Sequence, residues 1–121
     1  MNPGERRAAR HYRLRGYRVL GANVRAGGYE LDLVLRRGRR VLFVEVKEKR
    51  GPAFGHPLEM IDAEKVRRVQ TAARGWLAAH QEVSGLEISL EAAAVTGGKV
   101  ERVPLEHLEW TATFRTGIMA P

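Results

Sequence analysis

The sequence predicts one α/β domain, in which a mixed central sheet is flanked by helices in the order αβββαβ. Two segments, at the N-terminus and after residue 58, carry apolar residues at helical spacing, and three segments of strand length lie between them. The third of these, RRVLFVEVK at 39–47, is apolar almost throughout, as is typical of a central strand covered on both faces. We expect a single domain over 1–114 and a flexible C-terminal tail over 115–121.

The first helix is predicted over residues 2–15 by the signals at its two ends. Asn2 can cap it, and Pro3 fits its first turn. Glu5 lies three residues after the cap, as in a capping box, and Gly16 follows the last turn. The arginines of this segment fall outside its modest apolar face.

Three strands are predicted next, joined by glycine turns: 17–24, 29–37 and 39–47. In the second strand Leu31, Leu33 and Leu35 alternate with other residues, which predicts that these leucines share one face. The turn at Arg37-Gly38 predicts a hairpin, in which paired residues have numbers that sum to about 75 to 77.

The second half begins with a loop and a helix. Apolar residues recur at helical spacing over about 59–80, although Gly75 inside this segment weakens a helix. A strand over 86–95, a TGGK turn and a short returning strand follow. Residues 104–110 are expected to form a last turn of helix.

Composition excludes several classes of protein. The chain has no cysteine, which excludes disulfides and thiolate metal sites. Its apolar runs are all shorter than the ~20 residues that span a bilayer. The basic N-terminus is followed by no apolar stretch, so we expect no secretory signal and no membrane partner. A cytoplasmic protein is the natural interpretation.

The positive charge is concentrated in the first part of the chain. Residues 1–50 carry a net charge of +9 and residues 51–121 a net charge of −2. Such a surface favours a polyanion, most often nucleic acid, although a solvated basic face is the alternative. The candidate nucleic-acid contacts are Arg6, Arg10, Arg13, Arg25, Arg39, Lys49 and Arg50.

Acidic and basic residues meet at one end of the predicted hairpin. Residues i and i+2 of a strand share a face, so Glu30 lies beside Asp32 and Glu45 beside Lys47. The hairpin register brings Asp32 close to Glu45. Carboxylates suit Mg²⁺ or Mn²⁺, and a neighbouring lysine could orient water or balance charge on a phosphate. The pattern favours phosphodiester hydrolysis, and the alternative is an Asp32–Lys47 ion pair.

At this point the sequence resembles the YraN-type (UPF0102) family of predicted endonucleases. The matching stretches are GERRAARHYRLRGYRVLGANVR, YELDLVL, VLFVEVKEKR, FGHPLEMIDAEKVRRVQTAARGWL and EAAAV. Asp32 followed by Glu45-Val46-Lys47 is similar to the pattern of the restriction-endonuclease-like PD-(D/E)XK superfamily, which includes archaeal Holliday junction resolvases. The resemblance implies a restriction-endonuclease-like αβββαβ core and a Mg²⁺-dependent endonuclease.

The resemblance also implies roles for individual residues. Asp32 and Glu45 would be metal ligands, with the Val46 carbonyl as a third, and Lys47 would be the catalytic lysine. Two further acids would belong to the catalytic set, and Lys65 would contact phosphate. The acids are Glu5, on the first helix, and Glu30, which matches the glutamate before the family's aspartate.

Three positions depart from the family pattern. Tyr29 replaces a usual glycine, Glu48 replaces the threonine that commonly follows the lysine, and Glu91 stands where aspartate is expected. Glu48 adds negative charge near the predicted site. None of the three changes removes the proposed metal ligands.

Several residues keep a second interpretation. Glu5 could simply complete the capping box, and Glu30 could pair with Arg25 or Arg39. Lys65 could be a solvated helix residue. The RRGRR turn at 36–40 could be either a solvated tip or a contact to the DNA backbone.

The functional prediction is a metal-dependent nuclease acting on DNA, with branched or processed forms among its candidate substrates. A homodimer would suit cleavage of two strands. The alternatives are a nucleic-acid-binding protein of the same fold with little or no catalysis, and a structural protein whose acids pair with arginines.

Overall fold

The computed structural model describes residues 1–49 and 61–105, and these ranges have the predicted αβββαβ order followed by one further strand. Arg50, the expected helical turn at 104–110 beyond Leu105, and the expected tail all lie outside the described residues. The elements are α1 (Pro3–Arg13), β1 (Arg18–Ala26), β2 (Tyr29–Arg37), β3 (Arg40–Lys49), α2 (Ala63–Ala78), a short 3₁₀ turn (Gln81–Val83), β4 (Glu87–Thr96) and β5 (Lys99–Pro104).

The five strands form one mixed sheet in the order β1-β2-β3-β4-β5. Neighbouring strands are antiparallel except β3 and β4, which are parallel. A parallel pair needs a crossover, and α2 lies in that connection. The prediction that the third strand is central is therefore confirmed.

Each face of the sheet is covered by one helix. On one face, α2 packs its buried Trp76 edge-on against Phe43 of β3, with 5.7 Å between ring centroids. On the other face, α1 contributes Ala8, Ala9 and Tyr12 to a second buried cluster. The apolar run of β3 supplies both clusters, because its successive side chains point to opposite faces. Within 1–49 and 61–105, neither helix is long and apolar enough to cross a membrane.

The predicted hairpin register is confirmed, but the predicted face of one leucine is wrong. The β2–β3 pairs run from Arg37–Arg40 to Leu33–Val44, and each pair sums to 77, so Gly38 and Arg39 form the turn, one residue later than predicted. Leu33 packs in the α1 cluster as expected with Leu35, whereas Leu31 packs in the α2 cluster. The β2–β3 pairing ends at Leu33. Between Leu33 and Leu31 the leucine side chains of β2 change from one face of the sheet to the other.

Gly75 in α2 has a packing reason that the helical pattern does not reveal. A Cβ atom at this position would lie 2.7 Å from the backbone nitrogen of Gly27, in the β1–β2 turn. Glycine therefore lets α2 lie directly against the turn, and the helix tolerates its lower propensity there. This contact holds α2 close to the end of the hairpin where the acidic residues are found.

Candidate active site

The site is built at the fork where β2 separates from β3. The β2–β3 backbone pairs end at Leu33–Val44. Beyond them, the side chain of Asp32 bonds to β3 instead of the β2 backbone: its Oδ2 accepts a 2.8 Å hydrogen bond from the N–H of Val46. Burial and the nearby Glu45 carboxylate raise the pKa of Asp32 to about 7, against the opposing effect of the Val46 hydrogen bond. Two adjoining carboxylates in a half-buried place favour a cation or a proton.

The N-terminus of α1 brings Glu5 to this fork. The predicted capping box is present: Asn2 accepts from the N–H of Glu5, and Glu5 Oε1 accepts from the N–H of Asn2, both at 2.8 Å. Glu5 Oε2 accepts a 3.0 Å hydrogen bond from Asn23 of β1. The side chain is buried, with 6% of the residue's surface exposed. Capping and a place at the candidate site are therefore compatible.

Glu5, Glu30 and Asp32 form a group that could hold a metal ion. One carboxylate oxygen from each lies within 4.8 Å of the other two. Oxygens bound to one Mg²⁺ at 2.0–2.1 Å lie no more than about 4.2 Å apart, so a small inward movement would complete the geometry. Glu30 is exposed, and its side chain has room to make that movement.

Asn23 is a site residue that the sequence prediction missed. It has a positive φ of 51°, a conformation that asparagine tolerates better than most residues. A signal for it existed, because the Gly27-Gly28 turn predicts β1–β2 pairs that sum to 55. The observed pairs Ala22–Leu33 and Val24–Leu31 follow that rule and place Asn23 opposite Asp32.

The second half of the site is cationic and faces α2. Lys47 Nζ lies 3.2 Å from Glu45 Oε1, and Lys65 Nζ lies 3.7 Å from the same oxygen. Lys47 therefore forms an ion pair with Glu45, two residues before it on β3. Among the residues that the structure describes, no Asp32–Lys47 ion pair is found. Burial opposes the charge of Lys47, but the Glu45 carboxylate beside it raises its pKa. The neighbouring positive charge of Lys47, together with partial burial, lowers the pKa of Lys65.

The structure brings together only some of the predicted nucleic-acid contacts. Arg25 pairs in register with Glu30 and donates to the Gly28 carbonyl at 3.3 Å, and Lys49 ends β3 beyond Lys47. Arg39 lies at the hairpin tip, at the opposite end of the sheet from the acids.

The remaining described arginines of the prediction lie on α1. They line a shallow surface cavity of about 500 Å³ with Met1 and Leu14. Its three basic residues are Arg6, Arg10 and Arg13.

Two of the residues that depart from the family pattern, Glu48 and Glu91, make specific contacts with other elements of the fold. Glu48 packs against α1, where a Cβ atom at Gly4 would lie 3.0 Å from Glu48 Oε1. Glu91 is buried and accepts hydrogen bonds from Arg102, at 2.8 and 2.9 Å, and from the Tyr12 hydroxyl at 2.8 Å. Burial and Glu91 raise the pKa of Tyr12 above its ordinary range, so this hydroxyl remains a donor.

Comparison with known proteins gives the family. Residues 4–103 match the family described as "Uncharacterised protein family UPF0102". The chain belongs to this family. UPF0102 proteins from Beutenbergia cavernae and Renibacterium salmoninarum are each 38% identical to it over 105 residues, which cover 87% of this chain and 88% of the relative. A UPF0102 protein from Methylorubrum extorquens is 39% identical over 107 residues, covering 78% of this chain and 82% of the relative.

The family assignment made from the sequence motifs is thus confirmed. The matched region begins at Gly4, one residue before Glu5, and extends well beyond Lys65. It therefore includes every acidic and lysine side chain of the candidate site.

Proposed function

We propose that this protein is a metal-dependent nuclease that hydrolyses phosphodiester bonds in DNA with Mg²⁺ or Mn²⁺. The observation that carries the proposal is the fork itself. Carboxylates from α1, β2 and β3 converge there, and two lysine ammonium groups adjoin them within 4 Å of Glu45. Carboxylate oxygens beside ammonium groups are the chemical partners that a divalent cation and a phosphate require.

The donor set fits a hard divalent cation. Asp32 belongs to two possible sets of metal ligands. The family resemblance implies a set with Glu45 and the Val46 carbonyl, and Glu45 is a neighbour of Asp32. The second set joins Asp32 with Glu5 and Glu30. A cation bound there would act as a Lewis acid on the phosphate and assist ionisation of water. It would also relieve the repulsion that raises the pKa of Asp32.

The chain's own residues would position and neutralise the substrate. Asp32 is held in place by the Val46 N–H, and Glu5 by the Asn2 cap and by Asn23. Lys47 has a side chain only 14% exposed, and its ammonium group would face the negative charge that develops on phosphorus. Ligands held by backbone and cap hydrogen bonds lose little entropy when a cation binds.

The basic first half of the protein supports nucleic acid as the substrate class. Phosphate contacts by lysine and arginine provide most sequence-independent affinity for DNA. We propose DNA, with branched and processed forms as the first substrates to compare, on the strength of the family resemblance. A second candidate is a nucleic-acid-binding protein without catalysis. The arginine-lined cavity on α1 favours it, because that surface could hold a DNA backbone independently of the carboxylates.

A cleavage assay on defined substrates tests the proposal. Labelled single-stranded, duplex, flap and four-way-junction DNA, and RNA, are incubated with Mg²⁺, Mn²⁺ or EDTA. Asp32→Ala and Glu45→Ala are compared with the wild type, and Glu82→Ala, an exposed carboxylate in the 3₁₀ turn, is the matched control. We expect metal-dependent cleavage that both site variants lose and the control retains.

Two results would contradict the nuclease assignment. Binding of nucleic acid without cleavage of any substrate would favour the second candidate. Cleavage that persists in EDTA or in Asp32→Ala would exclude the proposed metal site.

A further inference from the structure

Strands β1 and β2 change face together at the fork. On β1, Ala22 packs against the α1 cluster and Val24 against the α2 cluster, although residues two apart in a regular strand share a face. On β2, their register partners Leu33 and Leu31 divide between the two clusters in the same way. The change of face on β1 therefore falls at Asn23.

The backbone of Asn23 explains this change of face. Its φ of 51° is the only left-handed value at a non-glycine residue within 1–49 and 61–105. Side chains alternate between faces only where the backbone is extended at every residue, so a left-handed residue interrupts the alternation. Alternation resumes beyond Asn23, where Val24 and Ala26 both pack against the α2 cluster.

The change of face decides on which side of the sheet Glu30 lies. Leu31 packs in the α2 cluster, so its neighbour Glu30 lies on the α1 face. One carboxylate oxygen of Glu30 is accordingly within 4.8 Å of an oxygen of Glu5, which α1 supplies. Without the change, Leu31 would share the α1 face with Leu33, and Glu30 would lie on the face away from Glu5.

The side chain of Asn23 gives a reason for asparagine instead of glycine at this position. Glycine adopts a positive φ at the lowest cost, and asparagine is one of the few other residues that tolerate it. The Asn23 amide donates a 3.0 Å hydrogen bond to Glu5 Oε2, while the N–H of Asn2 donates to Glu5 Oε1. Both carboxylate oxygens are thus held by a donor, and each has a second lone pair that could face a cation.

We propose that Asn23 assembles the acidic group at the fork: its left-handed backbone turns Glu30 toward α1, and its amide fixes the carboxylate of Glu5. The inference rests on the cation site of the proposed function and extends it by naming a positioning residue. Partners that orient a metal-binding side chain typically change metal affinity by about 10- to 100-fold. Asparagine serves both roles, whereas glycine would supply only the backbone conformation and alanine neither.

Variants that separate the two roles test the proposal. Asn23→Gly keeps the backbone conformation and removes the amide, whereas Asn23→Ala removes the amide and strains the backbone. Asn23→Gly is also made in a Glu5→Gln protein, and Leu20→Gly, at an exposed residue of the same strand, is the control. Mn²⁺ affinity is measured by calorimetry and the unfolding temperature is measured in EDTA. These measurements use no nucleic acid, so they decide the inference separately from the cleavage assay.

We expect Asn23→Gly to weaken Mn²⁺ binding about ten-fold and to unfold within about 4 °C of the wild type, because glycine favours this backbone. In the Glu5→Gln protein, the same change should alter Mn²⁺ affinity less than about two-fold, because the amide acts through Glu5. Asn23→Ala should unfold about 4 to 8 °C below Asn23→Gly, since a Cβ atom disfavours the left-handed conformation. Leu20→Gly should keep its Mn²⁺ affinity within about two-fold of the wild type.

Four outcomes would overturn the inference. Equal Mn²⁺ affinity of Asn23→Gly and wild type would exclude the role of the amide. An equal loss in the Glu5→Gln protein, or in Leu20→Gly, would show that the effect does not pass through Glu5. Equal unfolding temperatures of Asn23→Gly and Asn23→Ala would exclude the role of the backbone. A wild-type protein that binds no Mn²⁺ would instead refute the proposed metal site, and the inference with it.

Discussion

Replacing Asp32 by asparagine should stabilise the metal-free protein, although it removes a residue that we place at the centre of the site. The pKa of Asp32 is raised to about 7 in the folded state, from an ordinary value of 3.8. The folded state therefore binds this proton more tightly than the unfolded state does. Stability is greatest below the unfolded pKa, falls between about pH 4 and 7, and stays reduced above pH 7.

The size of the effect follows from the pKa difference. A pKa raised from 3.8 to about 7 corresponds to about 4 kcal/mol at most. Repulsion is shared with Glu45 and the side chain is partly solvated, so we expect Asp32→Asn to recover about 1 to 2 kcal/mol at pH 8. Asparagine keeps an oxygen that can accept from the Val46 N–H, so the fork should retain its shape.

Thermal and urea unfolding in EDTA measure this prediction. We expect Asp32→Asn to unfold about 4 to 8 °C above the wild type at pH 8, and the difference to vanish near pH 4. The control is Asp62→Asn, which changes an exposed carboxylate to another good helix cap and should leave stability nearly unchanged.

A divalent cation should reverse the order of the two proteins. At a hundred times its dissociation constant, Mn²⁺ would stabilise the wild type by about 2.7 kcal/mol, which exceeds the expected advantage of Asp32→Asn, and Asp32→Asn should gain little. The reasoning would be refuted if Asp32→Asn were no more stable than the wild type in EDTA at pH 8. A gain of the same size at pH 4 and pH 8 would also refute it, because the gain should depend on ionisation.

Two further predictions concern the packing that holds the site. Gly75→Ala should destabilise the protein by about 1 to 3 kcal/mol in urea unfolding, despite the higher helix propensity of alanine, because its Cβ would lie 2.7 Å from Gly27. Gly98→Ala, in open space, should change stability little, and equal effects of the two would contradict the packing argument. Tyr12→Phe should cost about 1 to 2 kcal/mol by removing a donor from buried Glu91, and an unchanged urea midpoint would exclude that contribution.

Local patterns in the sequence determined the elements and the hairpin at the centre of the sheet. Period-2 and helical spacing placed α1, β2, β3 and α2, because those periods decide which residues share a face. The glycine turn limited the β2–β3 register to pairs that sum to about 75 to 77, and the structure has 77, with Gly38 and Arg39 in the turn. Through that register, the nearness of Asp32 to Glu45 was also predictable.

Tertiary structure alone decided which distant residues complete the site. The capping box of Asn2 and Glu5 was readable from the sequence, but the meeting of Glu5 with Asn23 depends on how α1 packs across the sheet. The approach of Lys65 to Glu45 likewise depends on the crossover that places α2.

The face of Leu31 and the role of Glu91 show the same limit. Alternation along a strand predicts which face a side chain lies on only while the strand stays paired with its neighbours. The side chains of β2 change face where its pairing with β3 ends. Glu91 gains its partners, Arg102 and Tyr12, from the neighbouring strand and from the helix across that face. Contacts between elements depend on how whole surfaces pack, and a local sequence pattern does not contain that information. These contacts between elements decide which side chains meet at the fork.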